Sequence, residues 1–202
     1  MMTRSVAIYL FDEVEVLDFA APYEVFTTAA RVLRRSEPQV PVPFEVFTVG
    51  AARGLVRARA GLQVLAERAF DEVAHADVLL IPGGVVERQL QHAALIEWIA
   101  TRARSAEVTA SVCTGAFLLA RAGLLDGRSA TTHWEDLDDL RARFPRVRVE
   151  GGRRWIDHGD VITSAGITAG LDMSLHLVAR LGGRALAEAT ARQLEVDWRD
   201  TP

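Results

Sequence analysis

The stretch ASVCTGAFLLA, residues 110–120, joins two periodicities at one corner. Up to Val112 it continues the β-branched apolar run EVTASV, as a buried strand requires. From Gly115 it reads as an apolar helix that stops at Gly123. Cys113, the only cysteine of the chain, stands at the turn between them. Two readings of it stay open. The thiol either fills a small buried space, as cysteines commonly do, or is presented by the turn to a ligand.

Working outward, short Val- and Ile-rich runs alternate with helix-period segments. SVAIYL (5–10), PFEVFTVG (43–50) and ADVLLIPGG (76–84) read as strands, the last buried on both faces. Helices are expected over 19–33, with Pro22 in the first turn, and over 88–104, 115–122, 136–143, 167–181 and 184–194. Residues 54–67 alternate around a central Ala-Gly and read as a hairpin. RVRVE, RRWID and DVITSAG supply two or three further strands, and SATTHW a short strand or loop. This order predicts one α/β domain over residues 1–202, with a mainly parallel sheet, helices on both faces and a small antiparallel insertion.

Composition narrows the function. A net charge of −4 offers no general attraction to nucleic acid or anionic lipid. No apolar segment approaches the ~18 residues that span a bilayer, so no membrane role is expected. The N-terminus turns acidic after a short apolar run and lacks a cleavage site, which makes cytoplasm the expected location. No His-Glu-x-x-His, Cys/His cluster or phosphate loop occurs, so no metal or cofactor is expected.

Ligands of an open parallel sheet gather beyond the carboxyl ends of its strands. Four candidates fall there: Asp18, Gly83, Gly84 and Cys113. A helix following Cys113 would favour its thiolate, so a low-pKa, partly accessible thiol is expected. Gly83 and Gly84 are either a flexible strand exit or oxyanion donors, since glycine lets backbone N–H groups approach negative charge closely. Asp18 is either a helix N-cap or an acid/base group facing Cys113. Glu24 on the same helix is the competing carboxylate, set behind Asp18 because Val25 and Phe26 beside it look like core anchors. His133, in TTHWED, is a candidate base or a loop histidine.

Together VAIYLFDEVEVLDFAAPYEVF, DVLLIPGG, VCTGAFLLARAGLLDGRSATTHW and ITSAGITAGLDMSLHLV resemble the ThiJ/PfpI family of the class I glutamine-amidotransferase-like superfamily. The resemblance covers almost the whole chain and looks closest to two branches, isocyanide hydratases and the sensor domains of AraC-type regulators. It implies a flavodoxin-like sandwich with Cys113 as an elbow nucleophile. Protease-like members place His after that cysteine, whereas this chain has Thr114, which counts against a Cys-His-Glu triad. In the hydratase branch an aspartate matching Asp18 and a threonine matching Thr114 accompany the cysteine. The implied activity is hydration of an isocyanide, a small-molecule electrophile, to an N-substituted formamide without cofactor. Family resemblance also implies a homodimer, with the helix-one face around residues 19–26 as a contributor. A non-catalytic ligand-binding module and a thiol-based oxidation sensor are the alternatives. Regulators carry a further DNA-binding region, and the present chain ends at QLEVDWRDTP, which favours the hydratase reading.

Overall fold

Chain order and spatial order part company at the first strand. The computed structural model describes residues 2–202. It begins β1 (Arg4–Tyr9), α1 (Val16–Ser36), β2 (Phe44–Gly50), β3 (Gly54–Arg57), β4 (Gln63–Ala66), β5 (Arg68–Ala69) and β6 (Val78–Ile81). There follow α2 (Glu87–Leu90), α3 (Ala93–Ala103), β7 (Val108–Val112), α4 (Gly115–Arg121), β8 (Ser129–Ala130) and α5 (Leu137–Arg143). The chain continues through β9 (Arg148–Val149), β10 (Trp155–Asp157), β11 (Val161–Ser164), α6 (Thr168–Gly182) and α7 (Arg184–Gln193).

Seven strands form one sheet in the order β10-β11-β7-β6-β1-β2-β5. Its pairs are parallel except β10 against β11. After β1 the chain adds β2 on one side, then crosses to add β6 and β7 on the other. The topological switch therefore lies between β1 and β6, and a crevice opens at the carboxyl ends of those strands. Helices α1, α6 and α7 pack together as one layer, and α2 and α3 pack with α4 as another. Val6, Ala7, Ile8 and the whole of β6 are fully buried between them. Covering both faces explains why these strands are apolar without alternation. The hairpin expected at 54–67 is β3–β4, paired antiparallel from Gly54 opposite Ala66 to Arg57 opposite Gln63. Among the described residues no helix is long and apolar enough to cross a membrane.

Two expected helices differ in a way that matters below. The segment 88–104 is broken into α2 and α3, because the His92 side chain accepts the Leu95 N–H at 3.1 Å and starts a new helix. Helix α1 begins at Val16 rather than 19, since the Glu15 carboxylate accepts the Val16 N–H at 3.1 Å. Pro22 thus lies inside the helix and not in its first turn.

Candidate active site

The carboxyl end of β7 makes the sharp corner that the sequence suggested. Cys113 has φ 55°, in the left-handed region, which disfavours residues bearing a Cβ by roughly 1–2 kcal/mol. Its surroundings hold it there. The Cys113 N–H donates to the Ser164 carbonyl at 3.2 Å, while its own carbonyl accepts the Ala116 N–H at 3.2 Å. The Thr132 hydroxyl donates to the same carbonyl at 2.8 Å. Gly115 allows α4 to leave the corner, because a Cβ at that position would run into the Ile81 carbonyl.

Asp18 approaches the thiol from the start of α1. Glu15 is the N-cap, so the N-cap reading of Asp18 is overturned. The Asp18 side chain is fully buried. Its Oδ2 accepts the Gly83 N–H at 3.1 Å and its Oδ1 the Ile167 N–H at 3.2 Å. Cys113 lies within hydrogen-bonding reach of the same carboxyl. Ile167 has φ 54°, a strained conformation for a β-branched residue, and this aims its N–H at the carboxylate. Nothing in the side chain of Ile167 announces that role, and sequence reasoning missed it. Glu24 is elsewhere: it is exposed, paired with Arg31 at 2.7 Å and bonded to the Thr28 hydroxyl.

The sequence matches the DJ-1/PfpI family over residues 4–180. The chain belongs to the DJ-1/PfpI family. It is 33% identical over 195 residues to an isonitrile hydratase of Pseudomonas putida, covering 96% of this chain and 79% of that protein. It is 35% identical over 168 residues to the HTH-type transcriptional regulator CdhR of Pseudomonas aeruginosa, covering 83% of this chain and half of the regulator. In three dimensions it is similar to a ThiJ/PfpI family protein from Pseudomonas syringae, with TM-score 0.85 and 29% identity. That match covers 100% of this chain and 78% of the other. The mainly parallel sheet with helices on both sides is thus the fold of the family.

Within this DJ-1/PfpI site the glycine pair does something other than expected. The Gly83 N–H is spent on Asp18, and the Gly84 N–H donates to Thr114 Oγ1 at 2.9 Å. Thr114 returns a bond from its hydroxyl to the Gly84 carbonyl, also 2.9 Å. Both N–H groups seat site residues instead of waiting as free oxyanion donors. The Thr114 backbone N–H is the donor that faces the sulfur. His133 sits in a loop against Gly166, with Nδ1 turned to the Glu135 N–H at 3.4 Å and to the Asp136 carboxylate at 3.6 Å. The ring is engaged there, and no bond joins it to the thiol among the described residues. Nor do three or more His, Cys, Asp or Glu side chains converge as for a metal ion among these residues.

Electrostatics corrects one expectation. Burial pushes the Asp18 carboxyl up to about 7, against the Gly83 and Ile167 N–H groups that favour its charged form; Glu15 adds to the rise. Burial also drives the Cys113 thiol upward, and the Asp18 charge drives it further, while the Thr114 N–H acts the other way. Cys113, 8% exposed, is therefore neither low in pKa nor freely accessible. The expected helix effect is outweighed because desolvation penalises the thiolate and a neighbouring carboxylate repels it. Alkylation of Cys113 by iodoacetamide should accordingly be slow at pH 7 and still rising above pH 9. A rate that levels off below pH 7 would contradict this assignment.

Proposed function

We propose that this protein is a cofactor-independent cysteine hydratase that converts isocyanides to N-substituted formamides. The observation that carries the reading is Asp18, a buried carboxyl poised near neutrality beside the corner thiol and aimed by two backbone N–H groups. A carboxyl titrating near the working pH suits a group that must both take and give protons. The raised thiol then fits a base-assisted attack in place of a standing thiolate. Asp18 takes the Cys113 proton as sulfur bonds to the terminal carbon of R–N≡C, and returns that proton to the carbon. The product is a thioimidate, R–N=CH–S–Cys113. Water next adds to this carbon, Asp18 moving one water proton to nitrogen. Collapse expels the sulfur, which recovers a proton through Asp18, and releases R–NH–CHO. Overall one water is consumed and the protein is unchanged. The 33% identity to an isonitrile hydratase supports the same reading. Incubation with cyclohexyl isocyanide, with chromatography for the formamide, tests it.

The second reading is a ligand-binding module without chemistry, favoured by the 35% identity to a transcriptional regulator. In that case no formamide forms. Both readings give it a small-molecule ligand, and a cytoplasmic location belongs to the proposal.

Pairing into a homodimer belongs to the proposal, with the β3–β4 hairpin joining the exposed part of the expected helix-one face. Phe19, Val25 and Phe26 are buried in the protein's own core. Exposed apolar side chains include Leu55, Leu62 and Leu65 on the β3–β4 hairpin, with Leu17 and Tyr23 on α1. Sedimentation at micromolar concentration should give a dimer, and Leu65→Asp a monomer. A monomeric wild type would refute the pairing.

A further inference from the structure

A crevice opens at the switch point, beside α2. Residues 9–13, 51–57 and 87–89 line it together with Val85 and His92, and its volume is about 760 Å³. Small-molecule sites typically enclose roughly 300–1,000 Å³. Neither Cys113 nor Asp18 lines it. The Val85 N–H donates to the Glu13 carbonyl at 3.1 Å and the Glu15 N–H to the Gly83 carbonyl at 2.9 Å, and this ladder ties the segment after β1 to the segment after β6.

On the α2 wall the Glu87 carboxylate is paired with Arg143, and the groups beside it present donors. The Tyr9 hydroxyl donates to Gln89 Oε1 at 2.6 Å, which fixes the amide and leaves its N–H₂ without a partner among the described residues. His92 Nδ1 accepts the Leu95 N–H, so the neutral ring carries its proton on Nε2. Arg88 has no carboxylate within ion-pair distance among the described residues. Its neighbours in the crevice are already satisfied, Glu87 by Arg143 at 2.7 Å and Arg53 by Glu72 at 2.6 Å. Beside these donors lie the Phe11 ring, stacked on Tyr9 at 5.2 Å, and exposed Val85. Asp12 and Glu13, both exposed on the rim, oppose a polyanion such as a nucleotide.

We propose that this crevice binds a small monocarboxylate with an aromatic or apolar body. The carboxylate meets Arg88, Gln89 and His92, and the body lies against Phe11 and Val85. This site is independent of the chemistry at Cys113.

Titration calorimetry with benzoate, its neutral isostere benzamide and inorganic phosphate tests the assignment on the intact chain. Benzoate should bind at least about tenfold more tightly than benzamide, as expected for hydrogen bonds to a charged group. Phosphate should bind no better than benzamide. Arg88→Gln should weaken benzoate by about tenfold or more while leaving benzamide unchanged, and Cys113→Ala should bind benzoate like the wild type. Benzoate binding that ignores Arg88→Gln, or that disappears in Cys113→Ala, would overturn the site. So would binding confined to the Leu65→Asp monomer, because a second copy would then cover the crevice, and so would the absence of binding altogether.

Discussion

Cys113→Ala is expected to abolish formamide production from cyclohexyl isocyanide, a fall of at least about 10⁴-fold, because the proposed mechanism gives the covalent step to Cys113. Its melting temperature should change little, since a small side chain replaces a small one at a corner held by backbone bonds. Asp18→Asn is expected to lose about 10²–10⁴-fold, the usual contribution of a positioned acid–base group. It keeps the shape of the side chain but presents one acceptor where two N–H groups converge. One of the Gly83 and Ile167 donors then faces an amide N–H₂, at a cost of roughly 1–3 kcal/mol in stability. The two variants also differ in pH dependence. In the wild type kcat/KM should rise through about pH 7 as Asp18 ionises and becomes a base, then level off. Residual activity in Asp18→Asn should lack that step. A step that persists in the variant would assign the titration to another group.

Gly83→Ala should be strongly damaging although it removes no reactive atom. A Cβ at Gly83 would stand 2.6 Å from both the nitrogen and the hydroxyl oxygen of Thr114, and 2.9 Å from Asp18 Oδ2. Asp18 or the corner must move, and the bond that aims the carboxyl at the thiol loosens. Misplacing a catalytic group by about 1 Å costs on the order of 10²-fold in rate. Overpacking of this kind also destabilises by about 1–3 kcal/mol. Ile99→Val separates the two effects. It lies in α3, is fully buried and should lose about 0.5–1.5 kcal/mol with turnover intact. If Gly83→Ala keeps wild-type kcat, the close approach of these three residues does not matter for chemistry.

What could be read from the sequence follows from where each signal resides. The corner at Cys113 was legible because a strand, two small residues and a helix must follow one another along the chain. Strand order was legible as far as the αβ alternation, and the hairpin through its Ala-Gly turn. The break between α2 and α3 was hidden, because apolar periodicity runs across a cap made by one histidine side chain. The partners of Asp18 were hidden for a different reason. They are backbone N–H groups, one on a glycine and one on a strained isoleucine 149 residues away, and no side-chain pattern encodes them. The direction of the Cys113 shift failed to show for the same reason. A helix start is local and visible, whereas burial and the Asp18 charge arise only when β7 and α1 are brought together.

The central claim is that Cys113 bonds to the substrate carbon while Asp18 moves the protons. Mass spectrometry of the wild-type protein, rapidly quenched during turnover of cyclohexyl isocyanide, tests it most directly. The account predicts a gain equal to the whole isocyanide, located on the peptide that contains Cys113 and absent from Cys113→Ala. An unmodified Cys113 peptide, together with formamide formed equally well by Cys113→Ala, would contradict it.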